Sequence, residues 1–113
     1  MGETRVIYSD ATTAEAGTVL KGNGFLESNQ GGLFTSHAVP AKVYVVWGRS
    51  DYYPELIARL EFAPRIQVHV KARDGAGEMI AEVARATAGG LRALCPGTKL
   101  RCFDPADGSE IPC

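Results

Sequence analysis

Val43-Tyr44-Val45-Val46-Trp47 reads in two ways, and the choice decides the fold. β-Branched and aromatic residues favour a buried strand. Val39, Val43, Val46 and Trp47 also share one face at helical spacing. We read the stretch as a strand. A second strand is plainer. In residues 65–73, Ile66, Val68, Val70 and Ala72 point one way while Arg65, Gln67, His69, Lys71 and Arg73 point the other. Such alternation calls for one face in the core and one in water.

Outward from these two strands the chain alternates in type. Val6-Ile7-Tyr8 is a short apolar run that stops at Ser9-Asp10. Thr12-Thr13-Ala14-Glu15 has the capping-box pattern and opens a short helix, with Ala16, Val19 and Leu20 on one face and Gly22 as its left-handed stop. Asn23-Gly24 and Asn29-Gln30-Gly31-Gly32 are turns, and Leu33-Phe34-Thr35-Ser36 follows as a strand. Residues 54–62 stay double: Pro54 suits a first helical turn, while Leu56, Ala58, Leu60 and Phe62 alternate like a strand. Residues 78–88 are the best helix, with Ile80, Val83, Ala84 and Thr87 as its buried stripe, and Gly89-Gly90 ends or kinks it. A late strand at 99–103, a turn at 104–108 and a short return at 110–113 complete the chain. The sum is a single small α+β domain, a mainly antiparallel sheet with two to three helices packed on it.

The bulk numbers narrow the function classes. At 113 residues the chain holds one core. A hydrophobic fraction of 45% and a charged fraction of 22% are those of an ordinary soluble globule. The formal charge of -1 argues against general nucleic-acid or anionic-membrane binding. No apolar run approaches the roughly 20 residues that span a bilayer, and no signal-type stretch precedes the first strand, so a cytoplasmic location is expected. Cys95, Cys102 and Cys113 have no metal-site spacing, and His37 and His69 lie far from them in sequence, so three reduced thiols and no metal are expected.

Val6-Ile7-Tyr8-Ser9-Asp10-Ala11-Thr12, the helix to Leu20, Gly24-Phe25-Leu26 and Leu33-Phe34-Thr35-Ser36 together resemble the opening of small ADP-ribosyltransferase domains, the bacterial branch included. The resemblance covers roughly the first half of the chain and implies an NAD-dependent enzyme. Cleaving the nicotinamide–ribose bond generates an oxocarbenium-like ribose, which a carboxylate must stabilise. By resemblance Tyr8 flanks the nicotinamide, Thr35 or Ser36 orients the carboxylate, and Glu110 or Glu78 supplies it. Arg5 is the cation near the first strand; beside Tyr8, where the family carries His or Arg, this chain has Ile7 and Ser9. The same resemblance makes residues 60–64 a central strand and residues 43–47 a helix.

Residue type points to a second place. Trp47, Arg49, Asp51, Tyr52 and Tyr53 fall within a connection and have the composition of interfaces and ligand rims. Aromatics that so small a domain cannot bury are most simply covered by a partner or a second copy. The basic side of residues 65–73 reads as a solvated sheet face. The expectation is therefore a homo-oligomeric domain that binds a small molecule or a protein partner, with an NAD-using transferase-like enzyme as the alternative.

Overall fold

The computed structural model describes residues 2–113. In chain order the elements are β1 (Gly2–Ser9), α1 (Thr13–Gly22), β2 (Leu26–Glu27), β3 (Leu33–Thr35), β4 (Lys42–Trp47), α2 (Pro54–Ile57), β5 (Ile66–Arg73), α3 (Gly77–Leu94), β6 (Leu100–Asp104) and β7 (Ser109–Ile111). The strands form one seven-stranded sheet in the order β2-β3-β4-β5-β1-β6-β7, with every adjacent pair antiparallel. This is the α+β domain the alternation of residues 66–73 called for. Residues 43–47 are a strand, paired from Lys42↔Lys71 to Trp47↔Ile66. Residues 54–62 are neither a long helix nor a strand: only Pro54–Ile57 is helical, and no strand forms at residues 60–64.

The two faces of the sheet have different covers. Ile7, Val43, Val45, Ile66, Val68, Val70 and Cys102 pack with Ala16, Val19 and Leu20 of α1 and Ile80, Ala84, Ala88 and Leu91 of α3. On the opposite face Val6, Tyr8 and Phe103 pack under Leu56 of α2, with Tyr53, Ile57, Leu60 and Phe62 around them. The loop-rich stretch 50–62 is thus a lid over the second face. It is the reason Gln67 and His69 are buried (0% and 2% exposed) where the alternation predicted a wet side.

Local chemistry sets the helix limits. Thr12 and Glu15 form the expected box: the Thr12 amide donates to Glu15 Oε1 at 2.8 Å and the Glu15 amide to Thr12 Oγ1 at 3.2 Å. The left-handed residue after α1 is Gly24 (φ +90°) rather than Gly22, and it lets the Phe25 amide reach back to Leu20 O at 2.9 Å. Gly89-Gly90 do not end α3. The helix runs through them, and a Cβ at position 90 would lie 2.5 Å from Val19 Cγ1, so glycine there lets α3 approach α1.

Cys102 and Cys113 are disulfide-bonded, which overturns the expectation of three reduced thiols. Cys102 lies within β6 and Cys113 two residues past β7, so the bond closes the hairpin next to the last ladder pair, Cys102↔Ile111. Only Cys95 is free, and its side-chain hydrogen bond to the Glu15 carboxylate pushes its pKa up. Cys113→Ser should lower the unfolding free energy by about 2–3 kcal/mol, as expected for freeing a loop of about a dozen residues in the unfolded chain. Urea denaturation with and without reductant would check this: the variant should match the reduced parent, and a reductant-insensitive parent would count against it.

Candidate functional site

β4 ends at Trp47, and Gly48 then turns the chain around the end of the sheet. A Cβ at position 48 would sit 2.0 Å from Pro64 O, so only glycine lets the two backbones meet. The Gly48 amide donates to Arg65 O (2.9 Å), the Arg65 amide to Ser9 O (2.8 Å) and the Asp10 amide to Lys99 O (3.3 Å). These bonds carry the sheet ladder one step past the strand ends and fix four segments side by side.

The segment 47–53, read from sequence as one cluster, is divided by this turn. Trp47 and Arg49 stay at the end of the sheet, while Tyr52 and Tyr53 pass onto the second face and close over His69. Tyr53 stacks on the imidazole (centroids 5.7 Å, planes 22° apart), and Tyr52 meets it edge-on at 5.0 Å. Asp51, between them, is exposed.

Under the two tyrosines the hydrogen bonds fix the protonation of the ring. Gln67 Nε2 donates to Gly48 O (3.1 Å) and Ser50 O (2.6 Å), so its Oε1 must accept. His69 Nε2, 2.9 Å from that oxygen, is therefore the protonated nitrogen of a neutral imidazole, and Nδ1 carries the lone pair. Burial and then the nearby Lys71 ammonium lower the His69 pKa to about 4. The pKa of Tyr8, on β1 beside Gln67, is pushed upward by burial, and its buried hydroxyl has no hydrogen-bond partner among the described residues.

A depressed histidine pKa ties stability to pH in a defined direction. The unfolded chain takes up the proton near the ordinary value of 6.5, and the folded chain only near 4. The contribution is complete above pH 6.5 and is lost as pH falls towards 4, amounting to about 3 kcal/mol over the whole interval. Asp10, Glu15, Asp107 and Glu110 have lowered pKa values, each mainly through a side-chain hydrogen bond, and they add acid lability of the same sign, but only at more acid pH. Melting temperatures between pH 6.5 and 5 should fall for the parent and stay flat for His69→Gln; parallel slopes would exclude His69 as the cause.

At the end of the sheet lies a cleft of about 610 Å³. Trp47 and Phe62 supply its aromatic surface, Ala63 and Pro64 also line it, and Arg49, Arg65 and Lys99 bring three cations. Trp47 is 67% exposed. Among the described residues, none of these cations has a carboxylate within the 4.0 Å of an ion pair. Of two engaged carboxylates, Asp10 lines the cleft itself and Glu15 lies near Arg65. Asp10 Oδ1 accepts from Thr98 Oγ1 (2.6 Å) and the Lys99 amide (2.8 Å), which lowers its pKa. Glu15, which interacts with Arg65 at longer range, is held by Thr12 and Cys95. The cleft is thus net positive, with an exposed aromatic face at its rim.

The transferase-type candidates are not brought together. Tyr8 is buried on the second face. Glu110, on edge strand β7, is held by Arg101 through two bonds of 2.6 and 2.8 Å, which lower its pKa. Glu78 stands in the first turn of α3, on the other side of the sheet. Thr35 is exposed on β3, three strands from β1 and so roughly 14 Å away across the sheet. Ser36 Oγ accepts from the Ala38 amide at 3.1 Å. Arg5 is ion-paired with Asp104 (3.4 Å) and Glu3 (3.8 Å).

Among the described residues no cluster of His, Cys, Asp and Glu could hold a metal ion, and no helix is long and apolar enough to cross a membrane. Sequence reasoning missed Lys99 and Phe62 as site residues and assigned Arg65 to a solvated strand face. No signal in the sequence joins position 99 to positions 47 and 65; the backbone bonds through Ser9 and Asp10 do. The chain matches no family model, no curated protein and no solved structure.

Proposed function

We propose that this domain is a small-molecule binding module and that its site is the cleft of Trp47, Arg49, Arg65 and Lys99. One observation carries the reading: a largely exposed tryptophan stands beside three cations that have no ion-pair partner among the described residues, in a cleft whose backbone is cross-bonded. Cations that converge on one cleft without an ion-pair partner among the described residues favour a compact anion that all three can reach. A formal charge of -1 for the whole chain disfavours long polyanions and leaves a small ligand as the better fit. The Cys102–Cys113 disulfide fits an oxidising compartment better than the reducing cytoplasm expected from the sequence.

Trp47 is the chain's single tryptophan, so its emission reports on this cleft alone. Titration with pyrophosphate at low ionic strength should change the emission saturably. Added salt should weaken the effect, and the double variant Arg65→Ala, Lys99→Ala should reduce affinity roughly tenfold or more. All these positions are exposed, so the variants should melt close to the parent. An emission and melting temperature indifferent to pyrophosphate would remove the anion site. Light scattering in parallel tests the homo-oligomer: a mass near twice 12.0 kDa that halves on Trp47→Ala would give the tryptophan face to a second copy instead.

A further inference from the structure

The cleft has two unlike halves, and one ligand class satisfies both. At the Trp47 rim an indole face is open to solvent, with Phe62 half-buried in the same lining. On the other half the cations come from three segments: Arg49 after the Gly48 turn, Arg65 before β5, and Lys99 before β6. We propose that the site takes a mononucleotide, its base stacked on Trp47 and its phosphates held by Arg49, Arg65 and Lys99. This rests on reading the cleft as the binding site and names what it would bind.

Each half alone would select something simpler. Three cations without an aromatic face describe a phosphate site. An exposed indole without cations describes an apolar contact. Their juxtaposition suits a molecule with a planar π-system at one end and clustered negative charge at the other. Every nucleobase presents a π-face, so stacking is tolerant of base identity, whereas guanidinium groups give paired hydrogen bonds to phosphate oxygens. A volume of about 610 Å³ lies within the range of small-molecule and cofactor sites. With Phe62 partly buried, Trp47 is the one largely exposed ring of the cleft, which matches one base rather than a strand of them. Asp10 lines the same cleft as an ionised carboxylate, its Oδ1 bonded by Thr98 and the Lys99 amide, and the three cations outweigh its single negative charge.

Isothermal titration of the intact chain with ADP, pyrophosphate and adenosine separates the two halves. The expected order is ADP tightest, by roughly tenfold or more over pyrophosphate, with adenosine weakest. Trp47→Ala should abolish the preference for ADP over pyrophosphate, and Trp47→Phe should restore most of it. Equal affinities of ADP and pyrophosphate for the parent would overturn the stacked nucleotide while leaving the anion site standing. Absence of binding by all three probes would overturn both.

Discussion

Gly48→Ala should lower the unfolding free energy by about 4 kcal/mol, more than surface or ordinary core substitutions do. The reason is space rather than conformation. The new Cβ would lie 2.0 Å from Pro64 O, 2.4 Å from Pro64 C and 2.7 Å from Arg65 C, all backbone atoms that no rotamer change can clear. Moving the 64–65 backbone away would break the 2.9 Å bond from the Gly48 amide to Arg65 O and shift Trp47 and Arg65 apart. Gly89→Ala is the control. Nothing lies within 4 Å of its Cβ, it sits within α3, and it should stabilise by about 0.5–1 kcal/mol. Urea midpoints should therefore move in opposite directions. Midpoints that moved together would refute the close approach at Gly48.

Gln67→Leu should cost a comparable amount, about 4 kcal/mol. Leucine matches the volume but leaves Gly48 O and Ser50 O without their side-chain donor and His69 Nε2–H without its acceptor. Each buried polar group left unpaired costs roughly 1–3 kcal/mol. Gln67→Glu should be damaging for a different reason: it offers an acceptor, in place of the amide's donor, to two carbonyl oxygens. Because Gln67 ties the 48–50 turn to β5, the effect should spread. Amide exchange at residues 48–53 should accelerate more than at residues 80–91 on the far side of the sheet. A loss below about 1 kcal/mol, with exchange unchanged, would show that the turn is held by other contacts.

The same two residues mark where sequence reading succeeds and where it stops. The period of residues 66–73 was sufficient to find β5, because alternation follows from strand geometry alone. The capping box at Thr12 and Glu15 was equally legible, since both partners lie within four positions. The burial of Gln67 and His69 was not legible, because the partners that satisfy Gln67 are backbone carbonyls of a turn whose path no side-chain pattern announces. Gly89-Gly90 read as a break for a related reason: glycine's low helix propensity is local, whereas its use against Val19 is a tertiary fact. The disulfide was hidden because an odd number of cysteines gives no pairing rule, and it took the β6–β7 register to bring positions 102 and 113 together.

The candidate site was half legible. Trp47 and Arg49 stood out by composition. Tyr52 and Tyr53 stood out equally, and the turn at Gly48 sends them to another face, where they cover His69. Lys99 comes from a connection with no pattern of its own.

The sheet is bounded by strands of two and three residues, Leu26–Glu27 at one margin and Ser109–Ile111 at the other. Long unpaired strand margins are templates on which further chains add and fibrils extend. Here each margin offers little more than one turn of hydrogen-bonding pattern, and the covalent closure at Cys113 holds the second in place. Growth of the sheet from molecule to molecule is thereby discouraged. Concentrated preparations should resist thickening into β-rich gels.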